Sequence, residues 1–287
     1  MTNKYDIITL DKVDSTNTEA RKRIADIDNL SVLSAKNQTQ GRGQRGNKWI
    51  SAPGLNLTFS IVIKFGDFTT PPLQAYDQFA ISQMASLAVV DFLAAYDIEA
   101  KIKWPNDIYV GNRKICGMLI ENSLKGDLIS WSIVGIGINV NQLDFDAPNA
   151  TSMSNEKGRT FDTDVLLHDF LRFFEEYRSR YLHINGGLGK LRNLYLSQMW
   201  KLDEEATLID YRGCGRADAP INVTTSEDEA EGRVFCGTIR GISDTGMLVV
   251  EENDIAIEFG FKEIGWIIKK IDIKGIKKGI NRGYKGI

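Results

Sequence analysis

The sequence holds only two histidines, His168 and His183, and three cysteines, Cys116, Cys214 and Cys236. So few imidazoles remove the central residue of most Ser–His–Asp schemes and leave no His-rich metal site. The cysteines are odd in number, widely spaced and form no CxxC pair, which argues against a disulfide framework and a cysteine zinc site. No apolar run approaches the roughly 18 residues of a membrane span. The N-terminal MTNKYDIITLDKV lacks the basic and apolar regions of a secretory signal. A cytoplasmic protein with free thiols and no membrane partner is expected, and the glycosylation-type matches at Asn37, Asn56, Asn149 and Asn222 are then chance. Basic excess is also missing. The 35 Lys and Arg against 38 Asp and Glu give a net charge of −3, so no whole-chain basic surface is offered to nucleic acid.

What is present is ordinary globular material: 287 residues, 43% hydrophobic and 25% charged. That length suits about two domains, each with its own core. Period-two apolar patterns predict strands at 5–11, 31–36, 55–65, 108–111, 114–123 and 128–138. Helical spacing predicts helices at 15–27, 74–96, 162–184 and 188–199, with Ser15 and Asp162 as caps. From Glu205 to Ile268 the pattern becomes about five short strands broken by glycine, with the acidic SEDEAE at 226–231 as a hairpin tip. We therefore expect an α+β main domain over 1–200 and a small β-barrel over 203–268. Residues 269–287 carry seven Lys or Arg against one Asp and read as a basic, disordered tail.

Three segments stand out chemically. Gly41-Arg42-Gly43-Gln44-Arg45-Gly46 matches GxGxxG but precedes a strand rather than opening a helix, so it is not a dinucleotide fingerprint. Its glycines and its cations, with Lys48, suit an anion loop; they suit a plain surface turn as well. In Lys103-Trp104-Pro105-Asn106-Asp107, Pro105 makes Trp104 extended and the Asn-Asp pair favours a turn. Lys103 then ends a strand, either aimed at a ligand or merely reaching solvent. Gly135-Ile136-Gly137-Ile138-Asn139 ends an apolar strand whose glycines imply close packing against the backbone. Asn139 just beyond them suits a base or ribose, or an ordinary turn. Cys116, in the apolar KICGMLIEN, reads as packing rather than as a nucleophile.

Taken in order, Ser15-Thr16-Asn17, Gln38-Thr39-x-Gly41-Arg42-Gly43, Trp49, the KWPND segment, Lys114-x-x-Gly117 and Gly135-x-Gly137-x-Asn139 resemble the biotin–protein ligases over about residues 5–268. The resemblance implies a mixed β-sheet flanked by helices, as in lipoate ligases and class II synthetases, followed by an SH3-like barrel. It implies ATP-dependent attachment of biotin, through biotinyl-AMP, to a lysine of a biotin carboxyl carrier domain, with ATP and Mg²⁺ required. Ser15, Thr16, Asn17, Gln38, Gly41, Arg42, Gly43, Gln44, Lys103 and Gly117 would bind biotin. Arg42, Arg45, Trp49, Lys103 and Asn139 would bind ATP and the adenylate. Lys103 matches the family's catalytic lysine, with Arg42 and Asp107 assisting. Gln44 stands where the family's loop carries a third basic residue. Too few residues precede the STN segment for the DNA-binding module of the bifunctional members, so a monofunctional ligase without specific DNA binding is expected, with monomer and homodimer both open. A lipoate or octanoate ligase and a non-catalytic biotin sensor are the alternatives.

Overall fold

The computed structural model describes residues 4–44, 47–67, 69–147, 149–182, 186–212, 223–224 and 232–268. The tail 269–287, the SEDEAE segment, Arg45, Gly46, His183 and Cys214 lie outside them. Among the described residues, β1 (Asp6–Val13), β2 (Ser31–Gln38), β3 (Leu57–Lys64), β4 (Lys101–Lys103), β5 (Asp107–Val110), β6 (Arg113–Lys125) and β7 (Leu128–Ile138) form one sheet. Its order is β1-β2-β3-β7-β6-β5-β4. The β1–β2 pair is parallel and the remaining pairs are antiparallel. The expected mixed sheet is thus present.

Alternation along the strands decides what each face meets. On β3, Leu57, Phe59, Ile61 and Ile63 join the main core. They face α4 (Thr163–Tyr181), with the Phe59 and Phe170 ring centroids 5.2 Å apart, and share one core with α2 (Phe79–Ala94) and α5 (Gly187–Ser197). Helix α2 buries 14 of its 16 residues, because the sheet, α4 and α5 enclose it; this explains why its sequence is apolar almost all round. Asp162 caps α4 by accepting from the backbone N–H groups of Asp164 and Val165. On the opposite face Val62 and Ile133 pack with Ala20 of α1 (Thr16–Lys22). Beside α1 that face carries Thr58 and Ser60, and the cavity lies over the neighbouring glycines of β7.

Helix α1 stops at Lys22 rather than Ile27, and a short turn Ala75–Asp77 precedes α2. Strand β4 and the helix α3 (Met153–Lys157) are too short for periodicity to reveal. The second sheet contains β8 (Glu205–Asp210), β9 (Val223–Thr224), β10 (Arg233–Ile242), β11 (Leu248–Glu252), β12 (Ile255–Phe259) and β13 (Ile264–Ile267). Its order is β12-β11-β10-β8-β13-β9, antiparallel apart from β13–β9, and it fits the small SH3-like barrel expected. One continuous core joins the two sheets. Trp200 meets Trp266 with ring centroids 5.3 Å apart, and the Trp104 indole N–H donates to Gly246 O at 2.9 Å.

Candidate active site

A cavity of about 350 Å³ opens on the sheet face that α1 leaves uncovered. Its floor follows from register. Ser60 pairs with Gly135, and Gly135 with Leu119; Thr58 pairs with Gly137, and Gly137 with Gly117. The row Thr58–Gly137–Gly117 therefore sets small residues across three adjacent strands on one face, and the row Ser60–Gly135 beside it ends on Leu119. The chain's own side chains stand on them. A Cβ at Gly135 would lie 2.1 Å from Asn17 Oδ1, and one at Gly137 would lie 2.4 Å from the Trp49 ring. The sequence expectation that something packs on these glycines is met by Asn17 and Trp49.

One wall is the start of α1. Ser15, Thr16 and Asn17 are buried and line the cavity. The Thr16 N–H donates to Gln38 Oε1 at 2.8 Å. The Ser60 hydroxyl sits 2.7 Å from Thr16 Oγ1 and 2.6 Å from Asn17 Oδ1. Asn17 Nδ2 donates to Leu119 O at 3.0 Å and to Glu121 Oε2 at 2.9 Å. Each partner fixes the next, so these polar groups meet a ligand already oriented.

The opposite wall is the KWPND turn. Tyr195 Oη and Ser82 Oγ both donate to Pro105 O, at 3.0 and 3.1 Å, and the Asn106 amide donates to Met118 O. The Trp104–Pro105 peptide is cis. Lys103 ends β4 as expected and lines the cavity, yet it is only 2% exposed. Its ammonium lies 5.1 Å from the Trp266 ring centroid and 5.6 Å from that of Tyr109, so the second sheet contributes to its surroundings. Burial, then the Asp107 charge, push the Tyr109 phenol up, and it stays protonated at neutral pH.

Lys114 is the cation that faces the cavity more openly. Its side chain is 31% exposed, and Nζ pairs with Asp107 Oδ1 at 2.7 Å. The same ammonium lies 6.0 Å from the Trp49 ring centroid and close to Gly117. Asp107 is thereby engaged by Lys114. Sequence reasoning quoted Lys114 only as a motif letter; its register beside Gly117 was the available signal. Ser60 and Glu121 went unnoticed because a serine in an apolar strand and a glutamate in a long hairpin carry no local pattern.

The third side is formed by residues 41–44 and 47–49. Its neck is a small ladder in which Gly43 N–H donates to Asn47 O at 2.7 Å and Trp49 N–H to Gly41 O at 2.9 Å. Gly41 itself lies outside the cavity lining; a Cβ there would sit 2.3 Å from Trp49 O, so its role is to let the ladder close. Arg42, Gly43, Gln44 and Lys48 face the cavity. Asn139, expected at the nucleotide, is turned inward. Its amide donates to Thr151 O at 2.9 Å, and it lies outside the cavity lining. Cys116 is fully buried and burial pushes its thiol up, which leaves it no nucleophilic role.

Residues 9–139 match the Biotin/lipoate A/B protein ligase family. The match spans nearly all of the first sheet, from within β1 to the end of β7. A bifunctional ligase/repressor BirA of Bacillus spizizenii is 36% identical over 231 residues, covering 78% of this chain and 62% of the relative. The chain thus spans under two thirds of that relative's length. A biotin–[acetyl-CoA-carboxylase] ligase of Paracoccus denitrificans is 29% identical over 250 residues, covering 84% of this chain and 92% of the relative. Among solved structures, the biotin protein ligase of Aquifex aeolicus in complex with biotin and ATP superposes with a TM-score of 0.67 at 25% identity, over 91% of this chain and 97% of the other. The ligase fold is therefore common to both sheets of this chain and not to the first alone.

Proposed function

We propose that this chain attaches biotin to a lysine of a biotin carboxyl carrier domain, at the expense of ATP and through biotinyl-AMP. The observation that carries the reading is the cavity, which gathers a pre-oriented polar wall at Thr16, Asn17 and Gln38 with the cations Arg42, Lys103 and Lys114. The biotin and acetyl-CoA-carboxylase named for its relatives favour biotin over lipoate.

In the first step a carboxylate oxygen of biotin attacks the α-phosphorus of ATP, and the bond to pyrophosphate breaks. Two anions must approach, so fixed cations lower the barrier where charge builds up. Lys114, oriented by Asp107, and Arg42 would supply that charge beside the reacting atoms, with Lys103 adding charge from the cavity wall. Ser15, Thr16, Asn17 and Gln38 would hold the ring, and Trp49 would pack on the adenine. In the second step the carrier lysine's amine attacks the acyl carbon and AMP leaves. No protein nucleophile is needed, and holding the partners in line is worth about 7–11 kcal/mol. Among the described residues no group of three His, Cys, Asp or Glu could hold a metal, so Mg²⁺ would arrive on the triphosphate.

Incubating the full chain with ATP, Mg²⁺, a biotin-carrier domain and either biotin or lipoate tests this. Covalent biotin on the carrier, detected by blotting and mass spectrometry, is expected. Lipoyl transfer in preference to biotin transfer would favour the second activity of the family.

A further inference from the structure

Glu121 belongs to none of the motifs, yet the cavity's hydrogen bonding ends on it. Along β6, Gly117, Leu119 and Glu121 share a face, so the glutamate continues the cavity floor just past its edge. Its side chain is 17% exposed. Three groups from two other parts of the chain converge on this carboxylate. Asn17 Nδ2 donates to Oε2 at 2.9 Å, Arg42 Nη2 reaches Oε2 at 3.1 Å and Oε1 at 3.3 Å, and Arg21 pairs with Oε1.

The Arg42 side chain is 41% exposed. Its backbone is held by the narrow ladder at the neck of the loop, including the isolated bridge to Lys48, and the ladder leaves the side chain's rotamers open. A guanidinium has five N–H donors. Its contacts with Glu121 run through Nη2, and the same residue lines the cavity. Asn17 is fixed from both ends, with Ser60 at Oδ1 and Glu121 and Leu119 at Nδ2. One carboxylate therefore links the fixed wall to the loop.

From this geometry we infer that Glu121 is a positioning residue: by holding Arg42 and Asn17 together it sets the loop over the ligand, and retention of the acyl-adenylate depends on it. The inference rests on the ligase reading for its ligand. Glu121 touches no reacting atom, so its removal raises release and KM more than it lowers kcat.

The test compares wild type, Glu121→Gln, Arg42→Ala and the double variant as full-length protein. Dilution release of radiolabelled biotinyl-AMP from Glu121→Gln is expected to be about threefold to fivefold faster, the scale of a partly exposed ion pair. KM for biotin is expected to rise while kcat changes less. In the Arg42→Ala background the same substitution is expected to add little, because the shared contact is already gone. Arg21→Ala leaves both other contacts and is expected to match wild type. Release from Glu121→Gln equal to or slower than wild type overturns the proposal, as does full additivity with Arg42→Ala. Glu121→Asp keeps the charge on a shorter arm and is expected to fall between, so a poorly folding Gln variant leaves that comparison to decide. A second readout needs no ligase activity. Trypsin cleavage after Arg42 in ligand-free protein, followed by mass spectrometry, is expected to be faster in Glu121→Gln. An unchanged rate counts against the positioning role, whereas a wild type that forms no biotinyl-AMP counts against the ligase reading.

Discussion

The two segments that face each other across the cavity are built on opposite principles. The KWPND turn is anchored from every side. Trp104 reaches into the second sheet, Pro105 O accepts from two side chains, and Asn106 donates to β6. Among its described residues, the Gly41–Trp49 segment is tied at its neck by three backbone hydrogen bonds and further out by the ion pair of Arg42 with Glu121. The first can aim charge without reorganising, which is what transition-state stabilisation requires. The second must let a ligand enter and leave, so its contacts are few and exchangeable. Cations on the two sides consequently do different work: Lys103 and Lys114 are placed by the sheet, whereas Arg42 is placed by one side-chain contact.

The comparison breaks most severely at Trp104. Trp104→Ala removes a buried ring that packs on Phe261 at 5.2 Å and the hydrogen bond to Gly246. A loss of about 3–5 kcal/mol in unfolding free energy is expected, measured by urea denaturation. Because the ring joins the two sheets, both should unfold in one transition in wild type; a variant as stable as wild type would mean that the turn is held elsewhere. Lys114→Ala comes next. It is expected to slow pyrophosphate release by two to three orders of magnitude, roughly the effect of one preorganised donor, with stability little changed. Lys103→Ala is expected to slow the same step and also to lower stability, since the side chain is buried with its ammonium over the Tyr109 and Trp266 rings. Equal stability losses in the two lysine variants would erase the distinction between the buried and the open cation.

Gly137→Ala sharpens the comparison at the floor. A methyl group there would lie 2.4 Å from the Trp49 ring, which must move, and overpacking of this kind costs about 1–3 kcal/mol. A weakening of ATP binding by about tenfold is expected, read by calorimetry, with biotin binding less affected because Asn17 stands on Gly135 instead. Equal losses for both ligands would show that Trp49 serves them alike.

The fold was legible where residues repeat with a period. Helix α4 is plain in the sequence because it buries one face, and strand β3 because it is an unbroken β-rich run buried on both. The site was legible where residue types are chemically unusual together, as in the STN, GRG and KWPND segments. Asn139 follows the glycines of β7, and its side-chain amide holds Thr151 O, a partner that sequence proximity does not reveal. Between the two lysines the family resemblance favoured Lys103, and the structure adds Lys114 beside it. Their difference is exposure, set by Trp266 from far along the chain and by the hairpin pairing of Asp107 with Gly117. Glu121 was hidden because a carboxylate near a hairpin end reads as solvated, and its three partners come from distant segments.

The smallest expected effect lies at Gln44, on the loop side. Gln44 lines the cavity, and its carbonyl accepts from Asn47 N–H at 3.1 Å, so its backbone belongs to the neck while its side chain is available to a ligand. Closing such a loop orders residues at about 1–2 kcal/mol of backbone entropy each. Charge-assisted hydrogen bonds to a phosphate offset this at about 1.5–3 kcal/mol each. Glutamine donates a neutral hydrogen bond and brings no charge, so the closed loop is less favoured by about 1 kcal/mol than with arginine. Gln44→Arg is expected to slow biotinyl-AMP release about fivefold and to reduce labelling of bystander lysines, and Gln44→Gly to increase both. The variant should act independently of Glu121, because the partners of that carboxylate are Asn17, Arg21 and Arg42. Gln44→Arg combined with Glu121→Gln should then release adenylate at a rate given by the product of the two single effects. A Gln44→Arg effect that vanishes in the Glu121→Gln background would mean that the new charge works only when Arg42 is already held in place, and that the loop closes as one unit rather than contact by contact.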